Sequence, residues 1–420
     1  MHIKSKHRLR IRVAMAAMCC VVSGCSEGLF SDGSPPRPTL NLTTLGVGEE
    51  STYFESLSND LLENAEPVDI TEESRVIRGS IAGNDVDVYD LGAVREGDRV
   101  LVEITASDTL DPALAIFDET RASLLINDHR NAYLGRKDPY VDVTLTRDSE
   151  HCYLAIAATP YYNDNGDYAL LASLETNQPI PSPLPEGVLL VFNGANNVRI
   201  GSRPSINVPT FDAADIDNQY AGQTREMISR VTNLVRADFA EHDIEIFSTA
   251  EDASWDGVMT RIYFGTYDPG LLGVAEGVDE LNRTPTQEAI IFTDTFAAFA
   301  PIEPSVEEMS QALANVTSHE IGHLLGLVHT RDSLGIMDVT ASLNQLLADQ
   351  SFRMSPIYED VYPVGYQNAG QSLMDAVGGT FELSSFRTMP LPDDIDSFKQ
   401  DWTSAARQQL ILSSCGLHHH

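Results

Sequence analysis

Short runs in which apolar and polar residues alternate recur between residues 73 and 175, with turn-forming residues between them. A period of two is typical of strands with one buried face. No segment here has the apolar spacing of a convincing helix. The pattern therefore predicts an all-β sandwich over residues 68–175, with strands at Arg75–Ile77, Val86–Leu91, Arg99–Ile104, Ala113–Phe117, Val141–Leu145, Cys152–Ala157 and Tyr168–Leu174.

Residues 176–186 contain four prolines, which predicts a semi-rigid linker. From residue 187 onward, continuous apolar runs typical of buried strands are mixed with segments of helical period. This order predicts an α/β (α+β) fold for residues 187–420, with a mixed, mostly parallel sheet and the last helix packed beneath it. The expected strands are Val188–Phe192, Ile244–Phe247, Arg261–Phe264 and Ala289–Phe292, and the first expected helix is Thr224–Phe239.

Residues 1–24 have the pattern of an export signal. Basic residues are followed by the apolar run Val13–Val22, which is too short to span a bilayer. The run ends in Val-Ser-Gly-Cys25, which resembles the lipobox of bacterial lipoproteins. That resemblance implies cleavage before Cys25 and a lipid on its thiol. A common signal peptide followed by an unrelated cysteine is the alternative.

A lipidated Cys25 would anchor the chain in the cell envelope, at the outer membrane or the cell surface. Residues 25–67 are rich in Ser, Gly, Pro and Asn and lack sustained periodicity, which predicts a flexible tether. In the folded part only Cys152 and Cys415 remain, and they either pair or stay free.

The 420 residues are enough for two folded units, and we expect a monomer. With 62 acidic and 27 basic residues, the formal net charge is −35. A phosphate-binding surface needs clustered Lys and Arg, so nucleic acid is excluded as a partner. The excess of acidic residues serves either solubility or divalent-cation binding. One polar turn either holds Ca²⁺ or is only a turn: Asn163, Asp164, Asn165 and Asp167.

The candidate metal ligands His319 and His323 and the candidate base Glu320 lie on the last predicted helix. Ser305 is its N-cap, and Glu308 completes a capping box. His319 and His323 are four residues apart, so both imidazoles face one point. Glu320 lies about 100° from His319 around the helix, which aims its carboxylate beside a metal without making it a ligand.

Gly326 falls where this helix must end, because glycine takes the left-handed conformation at least cost. The chain can turn there and bring His329 back towards His319 and His323. Three neutral imidazoles leave the fourth position of a zinc ion open for water, which is what a hydrolytic site needs. The sequence therefore predicts Zn²⁺ as cofactor.

The motif from His319 to His329, followed by Met337 eight residues later, resembles the metzincin clan of zinc metallopeptidases. The short spacing is most similar to the matrixin branch. The resemblance implies that Met337, in the Met-turn, forms a hydrophobic base beneath the metal. Val339 stands where astacins and serralysins have a tyrosine ligand, and the Met-Tyr-Pro continuation of matrixins is missing, so no branch is assigned.

The resemblance also implies a mechanism. Zinc acidifies its bound water and polarises the scissile carbonyl, while Glu320 takes the water proton and delivers it to the leaving amine. Asp332 and Asp338 either accept hydrogen bonds from the ligating imidazoles or form surface turns. The segment Leu271–Val278 is expected to be the antiparallel edge strand that pairs with the substrate, with Gly273 and Gly277 keeping that edge low.

The β-rich region resembles the bacterial pre-peptidase C-terminal domain, through Asp85–Tyr89, Asp111–Phe117 and Gly166–Tyr168. Such modules accompany secreted peptidases. We therefore expect a zinc-dependent endopeptidase at the cell envelope that cleaves proteins or peptides. The alternative is a non-catalytic, surface-binding lipoprotein in which the metzincin module is structural. The intact Glu320 weighs against that alternative.

Overall fold

The computed structural model describes residues 52–55, 59–70, 74–128, 138–159, 164–251 and 259–379, and the backbone of the strand Ser413–Cys415. The predicted signal peptide and Cys25 lie outside these ranges. Within them, no helix is both long enough and apolar enough to cross a membrane.

In the first half of the chain, the described residues contain ten strands in two five-stranded sheets. The sheet orders are β1-β3-β10-β5-β8 and β2-β4-β9-β6-β7. The strands are β1 Thr52–Phe54, β2 Glu66–Pro67, β3 Arg75–Ile81, β4 Val86–Asp90, β5 Arg99–Ala106, β6 Pro112–Phe117, β7 Ser123–Asn127, β8 Tyr140–Thr144, β9 Tyr153–Ala158 and β10 Gly166–Glu175. Neighbouring strands are antiparallel, except for the parallel pairs β1–β3 and β2–β4.

An apolar core lies between these two sheets. Burial alternates along β5, as expected for a strand with one covered face. Its buried residues Val100 and Val102 join Leu170 of the same sheet and Leu114 and Ile156 of the other sheet in one cluster. The β-rich architecture thus agrees with the alternation in the sequence.

Two of these strands lie inside residues 25–67, where the sequence predicts a flexible tether. Thr52–Phe54 pairs with β3, and Glu66–Pro67 pairs with β4. These residues therefore belong to the sheets rather than to a tether. Segments of two or three residues are too short to show a periodicity, and they are ordered here by the open hydrogen-bonding groups of a sheet edge.

The described residues of the second half form a six-stranded sheet, two two-stranded sheets (β12-β13 and β18-β19) and five α-helices. The strands are β11 Glu186–Val191, β12 Ala195–Val198, β13 Ile206–Val208, β14 Ile244–Ser248, β15 Thr260–Phe264, β16 Leu271–Ala275, β17 Glu288–Ile291, β18 Met354–Pro356, β19 Tyr366–Asn368 and β20 Ser413–Cys415. The helices are α1 Ala213–Ile216, α2 Thr224–Asp238, α3 Val306–Leu324, α4 Leu343–Leu346 and α5 Ala369–Val377.

The six-stranded sheet has the order β14-β11-β15-β17-β16-β20. The strands β14, β11, β15 and β17 run parallel, and β16 runs antiparallel to β17. The sheet is therefore mixed and mostly parallel, as predicted. The antiparallel strand β16 falls within Leu271–Val278, as expected. The expectation that it is the edge strand is wrong, because the three-residue strand β20 pairs along its outer side.

Helices α2 and α3 pack together and contact the strands of this sheet. Val231 of α2 and Leu313 of α3 share a core with Phe264 and Ile291 of the sheet. The sequence pattern does not predict the antiparallel pair β12 and β13. Val198 and Val208 of this pair lie in a second apolar cluster with Ile290 of β17, whose neighbour Ile291 belongs to the core on the helix side. Both faces of the sheet are therefore covered.

The sandwich contacts residues 362–375 of the second half directly. The rings of Phe117 and Tyr362 lie 5.9 Å apart between centroids. Gly365 has a φ of +91°, and a Cβ added there would collide with the Phe117 ring. Arg147 adds a polar contact, because it donates hydrogen bonds to Asp118 at 3.1 Å and to Asp375 of α5 at 2.9 Å.

Replacing Arg147 by alanine is expected to lower the free energy of unfolding by about 2 kcal/mol, because it leaves two poorly solvated carboxylates without their cation. Arg95 is the matched control: its side chain is 59% exposed and pairs with Asp148 at 3.5 Å, so Arg95→Ala should change stability by less than about 0.5 kcal/mol. Denaturant unfolding measures both. Equal effects would contradict a stabilising role for Arg147.

Candidate metal centre

Helix α3 begins as the sequence predicts. The hydroxyl of Ser305 accepts a hydrogen bond from the Glu308 backbone at 3.2 Å, and the Glu308 carboxylate accepts one from the Ser305 backbone at 2.7 Å. This reciprocal capping box fixes the first turn. Because the first turn is fixed, the rotational position of every later residue on the helix is fixed with it.

The far end of α3 brings three histidines together. One nitrogen from each of His319, His323 and His329 lies within 4.8 Å of the others. The Nε2 atoms of His319 and His323 are 3.0 Å apart. His319 and His323 are buried, and His329 is half-buried. These are the three residues that the sequence predicts as metal ligands.

The turn that returns His329 to the helix requires glycine at position 326. Gly326 has a φ of +94°, in the left-handed region, and a Cβ there would lie 2.9 Å from the Cα of Glu280. The backbone N–H of Leu327 bonds to the carbonyl of Gly322 at 2.9 Å, which closes the helix end. Gly326 therefore ends the helix, as predicted.

Main-chain carbonyls orient two of the imidazoles. The Nδ1 atom of His319 donates to the carbonyl of Ile336 at 2.7 Å, and Nδ1 of His323 donates to that of Leu327 at 2.7 Å. A carbonyl can only accept, so Nδ1 carries a proton, and in the neutral ring the lone pair is then on Nε2. Burial lowers the pKa of His319 to about 4, which keeps this ring neutral at pH 7.

The alternative in which Asp332 and Asp338 accept hydrogen bonds from the ligating imidazoles is wrong for His319 and His323. Asp338 instead accepts from the backbone N–H of Asp332 at 2.8 Å and from the Thr340 hydroxyl at 2.7 Å. Asp332 accepts from Arg353 at 2.9 Å. Both carboxylates stabilise the loop around residue 336, so they act on the imidazole of His319 only through the position of that loop.

Met337 lies beneath the helix, between the two histidines along it. Its side chain is buried, and a Cβ added at Gly322 would lie 2.6 Å from the Met337 sulfur. Glycine at position 322 therefore allows the methionine to reach the helix backbone. The sequence shows Gly322 between two of the predicted ligands. Its contact with Met337 depends on how the loop that carries Met337 folds, which the sequence does not show.

Glu320 is fully buried beside the histidines. Strand β16 passes directly over it, because a Cβ added at Gly273 would lie 2.9 Å from the Glu320 carboxylate carbon. Gly277 has no atom within 4 Å of its added Cβ, so only Gly273 of the two predicted glycines permits a close approach.

The three imidazoles fit a zinc ion. The Nδ1 atoms of His319 and His323 are engaged by carbonyls, so their Nε2 atoms, 3.0 Å apart, are the ones placed to share an ion. Nitrogen donors suit Zn²⁺, and a three-histidine set leaves one tetrahedral position for water. Among the residues that the structure describes, this is the one group of three or more His, Cys, Asp or Glu side chains close enough to share an ion.

The other candidate residues do not converge on this centre. Asn163 of the predicted calcium turn lies outside the described residues, and the side chain of Asn165 accepts a hydrogen bond from the Gly83 backbone at 2.5 Å. Cys152 is a buried free thiol. Burial raises its pKa to about 12, so this thiol is unsuited to metal binding or nucleophilic chemistry.

Comparisons with known proteins give distant similarity only. No protein-family model and no curated protein matches this sequence. Similar solved structures include archaemetzincin from Methanopyrus kandleri (15% identity, 41% of this chain, 89% of that chain, TM-score 0.22). They also include the pre-peptidase C-terminal domain of Bacillus anthracis collagenase (14% identity, 26% of this chain, 94% of that chain, TM-score 0.20). A third is Aeromonas hydrophila PliG, a periplasmic inhibitor of g-type lysozyme (16% identity, 30% of this chain, 96% of that chain, TM-score 0.20). Neither the identities nor the TM-scores are high enough to assign a function to this chain.

After removal of His418–His420, whose imidazoles also bind metal, the protein is expected to bind one zinc ion, because three convergent imidazoles suit that ion. The double variant His319→Ala, His323→Ala should retain less than about a tenth of an equivalent, since a single imidazole cannot hold the ion. His151→Ala is the control, because His151 is exposed and pairs with Asp90. Elemental analysis after zinc loading gives the stoichiometry. Full retention by the double variant would show that zinc binds elsewhere.

Proposed function

We propose that this chain is a zinc-dependent endopeptidase of the metzincin type that acts at the bacterial cell envelope. The observation that carries the proposal is the convergence of His319, His323 and His329 beside the buried carboxylate of Glu320. A site with a structural zinc ion fills all four positions with protein ligands. Here the described residues offer three ligands and a candidate base, which is the composition of a hydrolytic site.

His319, His323 and His329 would hold the metal, which supplies a Lewis acid that acidifies a water molecule and polarises a carbonyl. Glu320 supplies the proton transfers. Its carboxylate accepts the proton of the attacking water and then gives it to the departing amine nitrogen as the C–N bond breaks. The carbonyls of Ile336 and Leu327 keep the rings of His319 and His323 in the ligand tautomer throughout.

The position of strand β16 favours a peptide as the substrate. An extended peptide can add to a sheet edge through main-chain hydrogen bonds, which do not depend on its side chains. Because Gly273 lies against Glu320, a peptide paired with the outer side of β16 would have its main chain within reach of the carboxylate. The antiparallel direction of β16 relative to β17 also agrees with the metzincin resemblance.

Glu320→Ala is expected to lower kcat/KM for peptide cleavage by about 10² to 10⁴, with zinc content unchanged, because it removes the general base. Gly273→Ala should also lower kcat, by at least roughly tenfold, because its methyl group would displace the Glu320 carboxylate. Initial rates on a fluorogenic peptide library, together with zinc analysis, measure both effects.

Gly277→Ala is the matched control for Gly273→Ala. It adds the same methyl group to the same segment, where no atom lies within 4 Å, so it should cleave at the parental rate. A Glu320→Ala protein with the parental rate would disprove the assigned role of the carboxylate. Equal rates for the two glycine variants would disprove the close approach of β16.

The proposed location rests on the lipobox at Cys25. Cys25→Ser is expected to abolish incorporation of labelled palmitate and to move the protein from the membrane to the soluble fraction, because the thiol is the point of attachment. Cys152→Ser is the control, since that thiol is buried in the sandwich. If the parent takes up no label and Cys25→Ser fractionates with it, no anchor is attached at Cys25.

A further inference from the structure

The edge of β16 that the proposed function assigns to the substrate already has a neighbour in this chain. Strand β20 is the outermost strand of the six-stranded sheet. It runs parallel to β16, with Ser413 opposite Leu271 and Cys415 opposite Gly273. The segment Ser413–Cys415 therefore lies along the peptide-binding edge.

We propose that Ser413–Cys415 is an internal occupant of this edge, which competes with the substrate for the main-chain groups of β16. The inference rests on the proposed endopeptidase function, because it concerns the regulation of the same site.

The register places the occupant at the reacting centre. Cys415 pairs with Gly273, and Gly273 is the residue whose backbone lies against Glu320. The main chain of the occupant thus passes the point at which a peptide would meet the general base. One strand edge offers one set of N–H and C=O groups, so the occupant and a substrate cannot pair with it together.

The pairing between β20 and β16 is weak enough for a substrate to displace β20. Strand β20 has only three residues, and its two paired positions are parallel, a geometry that is slightly less stable per residue than antiparallel pairing. A longer substrate forms more hydrogen bonds along the same edge and can replace it. The expected result is a raised KM for peptides, with kcat unchanged.

The test compares two substitutions in the full chain. Proline at position 414 lacks an N–H and fixes φ near −65°, away from the roughly −120° of a parallel strand, whereas alanine keeps both properties of a strand residue. Ser414→Pro should therefore lower the KM for a fluorogenic peptide about tenfold, and Ser414→Ala should keep the parental value. Equal KM values for the two variants would overturn the proposal.

Hydrogen exchange of the amides of Leu271–Ala275 tests the pairing without any need for activity. Parent and Ser414→Ala should protect these amides, and Ser414→Pro should exchange faster. Unchanged protection in Ser414→Pro would overturn the proposal even if the enzyme cleaves peptides. If exchange responds as expected but no variant cleaves any peptide, the strand pairing stands and the endopeptidase assignment fails.

A third variant separates main-chain pairing from any role of the thiol. Cys415→Ser retains every main-chain donor and acceptor, so it should keep both the protection of Leu271–Ala275 and the parental KM. Loss of protection in Cys415→Ser would show that the sulfur, rather than strand pairing, holds the segment, and would overturn the proposal in this form.

Discussion

His319 and His323 each donate their Nδ1 proton to a main-chain carbonyl, and these two hydrogen bonds decide which nitrogen of each ring can bind a metal. The acceptors belong to Leu327, just past the end of helix α3, and to Ile336, in the loop before Met337. The ligand geometry therefore depends on both loops being folded. Asp332 and Asp338 contribute by bonding within the second loop.

Close backbone packing supplies the remaining geometry. Gly326 lets the chain reverse against Glu280, Gly322 lets the Met337 sulfur reach the helix, and Gly273 lets β16 cross the Glu320 carboxylate. At each of these positions an added methyl group would meet another atom within 3 Å. The helix, the loop and strand β16 are thereby held close around the centre, which pre-organises it.

The parts of this arrangement that arise from local chemistry could be predicted from the sequence. The capping box, the spacing of the histidines and the glycine at the helix end each act within one helix and its following turn. The carbonyl acceptors could not be predicted, because every residue has a carbonyl and only the fold selects one. The short strands β1, β2 and β20 were missed for a related reason: three residues or fewer carry no periodicity, and a sheet edge orders them.

The proposed hydrolysis of peptide bonds depends on three imidazoles and one glutamate. It is measured by the appearance of new peptide N-termini when the zinc-loaded protein is incubated with a library of denatured proteins. We predict that the new N-termini accumulate, that a chelator stops their formation, and that added zinc restores it. One bound zinc per chain with no new N-termini in any library, even without the Ser413–Cys415 segment, would show that the centre is not a peptidase site.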